Sequence, residues 1–394
     1  MNISRIASTC LIMAQCVHAE AMFDYSKHVR PVHQCNQSTA ISIYDTSPES
    51  PDGKHICFIK YSEVVRDGHR GVPVMTDVMI QNRETGQTRK IYQASCNNHN
   101  GVNAIWINNS LIAFQVGMFK DFVLWDINTN KSVFGLIEGE LGHKSFGNIL
   151  YFSICNSRRL TIDDTRTPLV PEREGIHRLD CLTGEITRVV GKAELIEAFA
   201  AQNPTVPKTE AKILHVESNP ANDKIMFDYR YPLPADKGWE SIHGFVFANG
   251  IGIRWVKERP MHAVWFDDTD MFGVDTHDPE KNFYRYDLLG KKLEMLGGRS
   301  THVGASPDRQ WYIGESAFYE PEQDGFTRVY LYKRGRKEPY ALLAEWQNAK
   351  ITWTWVAHVN PSYSSDGDRA YFIRASDQED KFEAVMINFA EIKH

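Results

Sequence analysis

The sequence has no run of about 18 consecutive apolar residues, so no helix able to cross a bilayer is expected. It also lacks a long basic run. Its 44 Lys and Arg are outnumbered by 50 Asp and Glu, a formal net charge of −6, which argues against a nucleic-acid partner. No CxxC pair occurs among the 7 cysteines. Cys35, Cys57, Cys96, Cys155 and Cys181 are widely scattered, which suits buried free thiols, with one disulfide at most in an oxidising compartment. There is no GxSxG elbow, Walker loop, dinucleotide fingerprint, HExxH helix or EF-hand loop. Those absences remove the commonest serine-hydrolase, nucleotide, metalloprotease and calcium-sensor readings. Helical patterning is confined to Ala193 to Gln202, an expected excursion inside the third unit of the repeat described next.

The chain does contain a repeat. A turn built on Pro, Asp, Asn or Gly precedes a short apolar strand seven times. The copies are Ser50 to Gly53 before Ile56, Trp106 to Asn109 before Leu111, a degenerate copy within Tyr151 to Ile162, and Asn219 to Asp223 before Ile225. Trp265 to Asp268 before Met271, Ser306 to Asp308 before Trp311, and Ser364 to Gly367 before Ala370 complete the set. Each copy is answered by a second alternating strand, such as Asp77 to Ile80 or Tyr284 to Asp287. Units of roughly 40–65 residues with four short strands apiece predict an all-β fold, a seven-bladed β-propeller of four-stranded antiparallel blades. A tandem β-sandwich has no reason to repeat one turn signature at this period.

The register then sorts the histidines. His302 and His262 lie 6 residues before Asp308 and Asp268, and His358 and His215 lie 8 before Asp366 and Asp223. Strand side chains alternate with period two, so the even offsets put all four on one face, at the starts of the innermost strands beside the central channel. Asn103 takes the matching place in blade two, with His99 just upstream, and Asn360 shares the face of His358. Such a cluster can bind a metal or move protons. Each histidine taken singly is better read as structural. The Tyr229-Arg230 pair is expected near the channel mouth, where a guanidinium suits a carboxylate, with surface solvation as the alternative. His143 is expected in the loop between blades two and three. Trp353 and Trp355 suit either core packing or sugar stacking.

Residues 1–21 stand apart. One positive charge in Met1 to Arg5, a mostly apolar Ile6 to Val17 and the small-x-small Ala19 to Ala21 predict a secretory signal peptide. A single propeller domain over 22–394 and a periplasmic or secreted location are then expected, with a cytoplasmic protein as the alternative.

Thr301 to Asp308 with Trp311 to Ser316 resembles the penultimate blade of oligogalacturonate-lyase-like propellers, and Ala357 to Gly367 resembles their last blade. His215 to Tyr231 and Met261 to Asp268 are also similar, so the resemblance spans roughly residues 30–390. Short ulvan lyases are a more distant likeness. The resemblance implies a divalent ion in the channel, manganese first, with zinc or calcium as alternatives. In that family the ligands are a histidine of the penultimate blade and a Gln-x-x-His-x-His stretch of the last. His302 and His358 match two of them, Trp355 stands at the glutamine, and Asn360 stands at the final histidine. These departures point to a substrate other than galacturonate oligomers.

The implied activity is β-elimination on a uronic-acid-containing oligosaccharide. His262, His302, His358 and Asn360 are the candidate metal ligands. His215, Tyr229 and His99 are the candidate bases, and Arg230 orients the acid group. Two other classes remain. One is a non-catalytic, TolB-like periplasmic binding module. The other is a glycoside hydrolase, which needs facing carboxylates that the aligned positions do not supply.

Overall fold

The computed structural model describes residues 22–62, 73–97, 101–117, 121–155, 174–203, 211–233, 238–256, 260–316, 324–347, 358–376 and 381–392. Seven antiparallel sheets follow one another around an axis, as the repeat predicts. Their innermost strands are Thr39–Ala40, Ile105–Trp106, Glu140–Phe146, Lys212–Ser218, Pro260–Trp265, Val303–Ala305 and Ser362–Tyr363, for blades one to seven. The turn signature has a local cause. In blades one, six and seven the serine hydroxyl donates to the Asp two residues on (Ser50 to Asp52 at 2.7 Å, Ser306 to Asp308 and Ser364 to Asp366 at 2.6 Å), closing the hairpin. Signals 1–21 and His99, Trp353 and Trp355 lie outside the described residues.

Each blade is packed on both faces, so its second strand is apolar on both. Ile112, Ala113 and Phe114, like Met271 and Phe272, have no exposed surface. The core is accordingly a ring of clusters shared between every neighbouring pair of blades. Among the described residues no helix is long and apolar enough to cross a membrane. All five cysteines from Cys35 to Cys181 are free, and burial pushes the Cys57 thiol up to about 12.

Two expectations need correction. The helix, Lys192–Gln202, follows the fourth strand of blade three, Ile186–Gly191, and therefore lies between blades three and four rather than inside blade three. Phe199 anchors it against Tyr229 and Trp255 at 4.9 and 5.0 Å. The blade-three hairpin turns at Gly147 and Asn148, ahead of Tyr151, which is already inside the second strand Ile149–Ile154. That turn is too short to carry the Pro/Asp signature.

The N-terminal segment closes the ring. Arg30–Pro31 forms the outermost strand of blade seven, and Phe23–Asp24 runs parallel to Ala341 and Leu342 as a fifth strand of blade six. A buried ion pair seals the same seam from inside. Glu49 of blade one accepts from Arg369 of blade seven at 3.1 and 3.2 Å and from Arg83 at 2.5 Å. Removing one partner of a buried pair strands the other charge. Glu49→Ala should therefore lose about 3 kcal/mol of unfolding free energy in urea titrations. A loss below about 0.5 kcal/mol, the scale of an ordinary surface change, would show that the seam does not depend on this pair.

Candidate functional site in the central channel

The channel position of the inner strands has an unusual backbone. In blades four and five the ladder skips between Leu214 and Glu217 and between Met261 and Val264, and the residue in each gap turns left-handed: His215 at φ 51° and His262 at φ 53°. Asn103 in blade two and Asn360 in blade seven do the same, at 43° and 46°. Asn and His are among the few residues enriched there, although the conformation costs roughly 1–2 kcal/mol each. The repeat thus spends conformational strain at one position, the one that faces the axis.

The rings meet as the register predicts. His262 and His302 stack at 4.3 Å between centroids, 22° apart in plane, and His302 lies 4.3 Å from His358 at 58°. His215 stands with a histidine the sequence reading put elsewhere. His143 is not in a loop: it lies on the inner strand Glu140–Phe146, and its Nε2 is 2.8 Å from Nδ1 of His215. The blade-three ladder skips three residues, Leu141 to Ser145, where blades four and five skip two. The offset parity that finds the other histidines therefore fails in blade three. Gly142 permits the approach, because a Cβ there would lie 2.4 Å from the Val216 carbonyl oxygen of blade four.

Tyr44 joins the two histidine groups. Its ring lies 5.1 Å from His262, 5.4 Å from His302 and 6.1 Å from His143. It belongs to residues 41–54 of blade one, which cross the axis. Asp45 is the keystone of that crossing. Its amide donates to Pro361 of blade seven at 2.9 Å, and its carboxylate accepts from the Ala305 amide of blade six at 3.0 Å and pairs with Lys144 of blade three. Thr46 donates to the His143 carbonyl at 2.8 Å. Tyr44 thus faces the histidines, while Asp45 and Thr46 line a cavity of about 600 Å³ at the turn end, together with His143, Lys144 and Arg309.

The other expected residues divide. Arg230, half-buried, has Nη2 3.5 Å from His215 Nε2, and its Nε donates to Asp228 at 3.0 Å. Tyr229 alternates onto the opposite face, where it is buried among Phe199, Trp255 and Tyr231, and burial pushes its phenol up to about 12. The structure withdraws it from the base candidates. Asn103 takes the matching channel position but clamps blade three instead, donating to the Leu141 and Gly142 carbonyls at 3.1 and 3.0 Å. A residue the sequence reading missed is Glu140, which accepts from the His215 amide near Arg230 and Asp228. A search keyed on histidine could not find it.

Burial disfavours the charged form of five groups here. It pushes His302 down to about 3 and its partner Glu315, bonded to Nδ1, up to about 8. It pushes His215 down to about 3, with Asp228 opposing and Arg230 assisting, and it lowers His143 well below the usual imidazole range. Glu140 rises to about 8 through burial, against the pull of Arg230.

For a cation, these residues offer a partial set. Among the described residues no three His, Cys, Asp or Glu side chains form a site. A bound ion lies in the plane of each imidazole that holds it, so the nearly parallel His262 and His302 cannot share one as placed. His302 and His358 can, being inclined, with Glu315 behind His302 as the outer carboxyl that metal-binding histidines favour and Asn360 as an oxygen donor. His262 instead has its Nδ1–H committed to the Thr301 carbonyl at 2.9 Å.

The Asn103 clamp generates a stability test. Asn103→Gly keeps the left-handed backbone and leaves two buried carbonyls unmatched, so it should lose about 2 kcal/mol in chemical denaturation. Asn103→Ala should lose roughly 1 kcal/mol more through backbone strain. Equal stability of the two variants would show that strain plays no part at this position.

No family model matches the chain, and no curated protein is similar to it in sequence. Its fold has relatives among solved structures. An oligogalacturonate lyase in complex with manganese aligns over 94% of this chain and 96% of its own, at 14% identity and TM-score 0.60. The oligogalacturonate lyase from Vibrio parahaemolyticus aligns over 93% and 96%, at 14% identity and TM-score 0.61. TolB from Acinetobacter baumannii aligns over 66% and 54%, at 12% identity and TM-score 0.38. In architecture, blade for blade along nearly its whole length, the chain is a seven-bladed propeller of the build seen in oligogalacturonate lyases.

Proposed function

We propose that this channel is the active site of a polysaccharide lyase that cleaves a uronic-acid-containing oligosaccharide by β-elimination. The observation carrying the reading is a pair of groups pushed in opposite directions beside one guanidinium. His215 is held neutral and Glu140 is held protonated near pH 7, with Arg230 next to both. Groups whose environments drive their pKa values apart are suited to divide base and acid roles.

The reaction removes the proton at C5 and expels the oxygen at C4. The C5 proton is weakly acidic because the neighbouring carboxylate is already negative. Arg230 pairs with that carboxylate, offsets the charge that develops on it and sets C5 beside His215. A guanidinium only donates, so its approach to His215 Nε2 favours a lone pair there, with the ring hydrogen on Nδ1 directed at His143. His215 Nε2 is then the base, and Glu140 protonates the departing oxygen. A divalent cation, manganese by resemblance, would be held by His302, His358 and Asn360. When bound, it would further neutralise the carboxylate. With residues 1–21 as a signal, the site of action is the periplasm or the exterior.

The test is ultraviolet absorbance of the new double bond, measured over a panel of uronic-acid polysaccharides and oligosaccharides with manganese supplied. At least one should give product. A blank panel refutes the lyase and leaves the binding-module reading. The pH profile carries the sign of the assignment. Glu140 acts while protonated, so kcat/KM should be level below its pKa and fall as pH rises through about 8, which Glu140→Gln should abolish while lowering the plateau. A profile that instead rises through pH 8 contradicts Glu140 as the acid.

A further inference from the structure

The blade-one segment carrying Tyr44, Asp45 and Thr46 reaches from blade three to blades six and seven, and His143 is the residue that borders both His215 and the cavity that Asp45 and Thr46 line. On one side its Nε2 lies 2.8 Å from Nδ1 of His215. On the other it lines the 600 Å³ cavity at the turn end, next to Lys144, Asp45 and Thr46. Once a sugar carboxylate sits on Arg230, the Nε2 edge of His215 is covered. The remaining outlet for a proton from that ring is Nδ1, and its partner among the described residues is Nε2 of His143.

We infer that His143 is a proton relay, carrying the proton that His215 takes from the substrate through the crossed channel to solvent in the far cavity. This rests on the lyase reading and extends it. As the C5–H bond breaks, its electron pair stays on the substrate and the proton joins Nε2 of His215. The Nδ1–H of His215 passes to Nε2 of His143, and the Nδ1–H of His143 passes to a water in the cavity. Both rings end neutral, each with its hydrogen moved from Nδ1 to Nε2. The run reverses to reset them. The hydronium formed in the cavity returns its proton to Nδ1 of His143 and becomes water again, Nε2–H of His143 passes to Nδ1 of His215, and Nε2–H of His215 leaves through the channel to the Glu140 carboxylate that has just protonated the leaving oxygen. No net proton is gained or lost.

The surroundings favour transit over storage. Lys144, paired with Asp45 and 3.4 Å from Glu217, sits beside His143, and burial with the neighbouring His215 also disfavours a resting imidazolium. The Asn103 amide and the Thr46 hydroxyl fix the strand that carries His143, so the 2.8 Å contact is built in by three blades. His143 acts through His215, so it is a positioning and relay residue and does not touch the substrate.

The experiment is steady-state turnover of wild type, His143→Ala and His143→Gln, each with and without added imidazole, on the uronate substrate found by the panel. We expect kcat of both variants to fall about 100-fold with KM nearly unchanged. Imidazole, small against the 600 Å³ cavity, should restore His143→Ala by at least about tenfold, leaving wild type and the space-filling His143→Gln unaffected. Full kcat in His143→Ala, or a loss that imidazole does not relieve in a variant with native circular dichroism, overturns the relay while the lyase stands. An inactive wild type overturns the lyase reading itself. Nitrogen-15 NMR of wild-type imidazoles checks the relay without any variant. Hydrogen on Nδ1 of both His215 and His143 supports it, and hydrogen on Nε2 of His143 in the resting protein overturns it.

Discussion

One carboxylate, that of Asp45, organises the centre of this molecule. A propeller leaves its axis open by construction, because inner strands cannot approach closely enough to fill it. Here the segment after the first inner strand crosses that axis, and Asp45 ties the crossing to blades three, six and seven at once. The residue before it then has a fixed place. Tyr44 lies against His262, His302 and His143, which turns a ring of separate imidazoles into one continuous polar floor. The residue after it, Thr46, faces the other end. The segment thus stands between the histidines that Tyr44 touches and the cavity that Asp45 and Thr46 line.

The electrostatics at this level follow from burial. Removing an ionisable group from water disfavours its charged form, which drives His302, His215 and His143 toward the neutral imidazole and Glu315 and Glu140 toward the protonated acid. His302 and Glu315 are neutralised together, and His215 and Glu140 in the same way on the other side. Arg230 bonds Asp228 through Nε and directs Nη2 at His215, which leaves a guanidinium edge for an anionic ligand to meet. Strain is concentrated at the same level, in the left-handed backbone of Asn103, His215, His262 and Asn360. The outer strands are unremarkable by comparison, solvated and variable in length.

Much of the fold was legible because the propeller repeats a local device. The Ser-x-Asp hydrogen bond of blades one, six and seven, the turns closed by Asn108, Asn219 and Asp267 in blades two, four and five, and the period-two alternation are all short-range, so six of the seven hairpins can be placed without knowing the tertiary structure. Blade three escaped because Gly147 and Asn148 make too short a turn to carry the device, and its three-residue ladder skip breaks the parity that found His215, His262, His302 and His358. His143 was lost with it. Tyr44 and Glu140 were illegible for a different reason. Each acquires its role through a segment or strand from another blade, and no local spacing encodes that. Tyr229 failed in the opposite direction: alternation places it and Arg230 on opposite faces, so only one of the pair can look toward His215. Closure by Arg30–Pro31 is likewise a long-range event between the chain's two ends.

The central claim is that the histidine-lined channel receives a uronate. A crystal structure of the His215→Ala protein soaked with a uronic-acid oligosaccharide tests it most directly. The account predicts a sugar carboxylate paired with Arg230, its ring carbon over the vacated imidazole, and the chain ending short of Tyr44. Sugar bound instead on the outer rim, or threaded past Tyr44 into the far cavity, would contradict it.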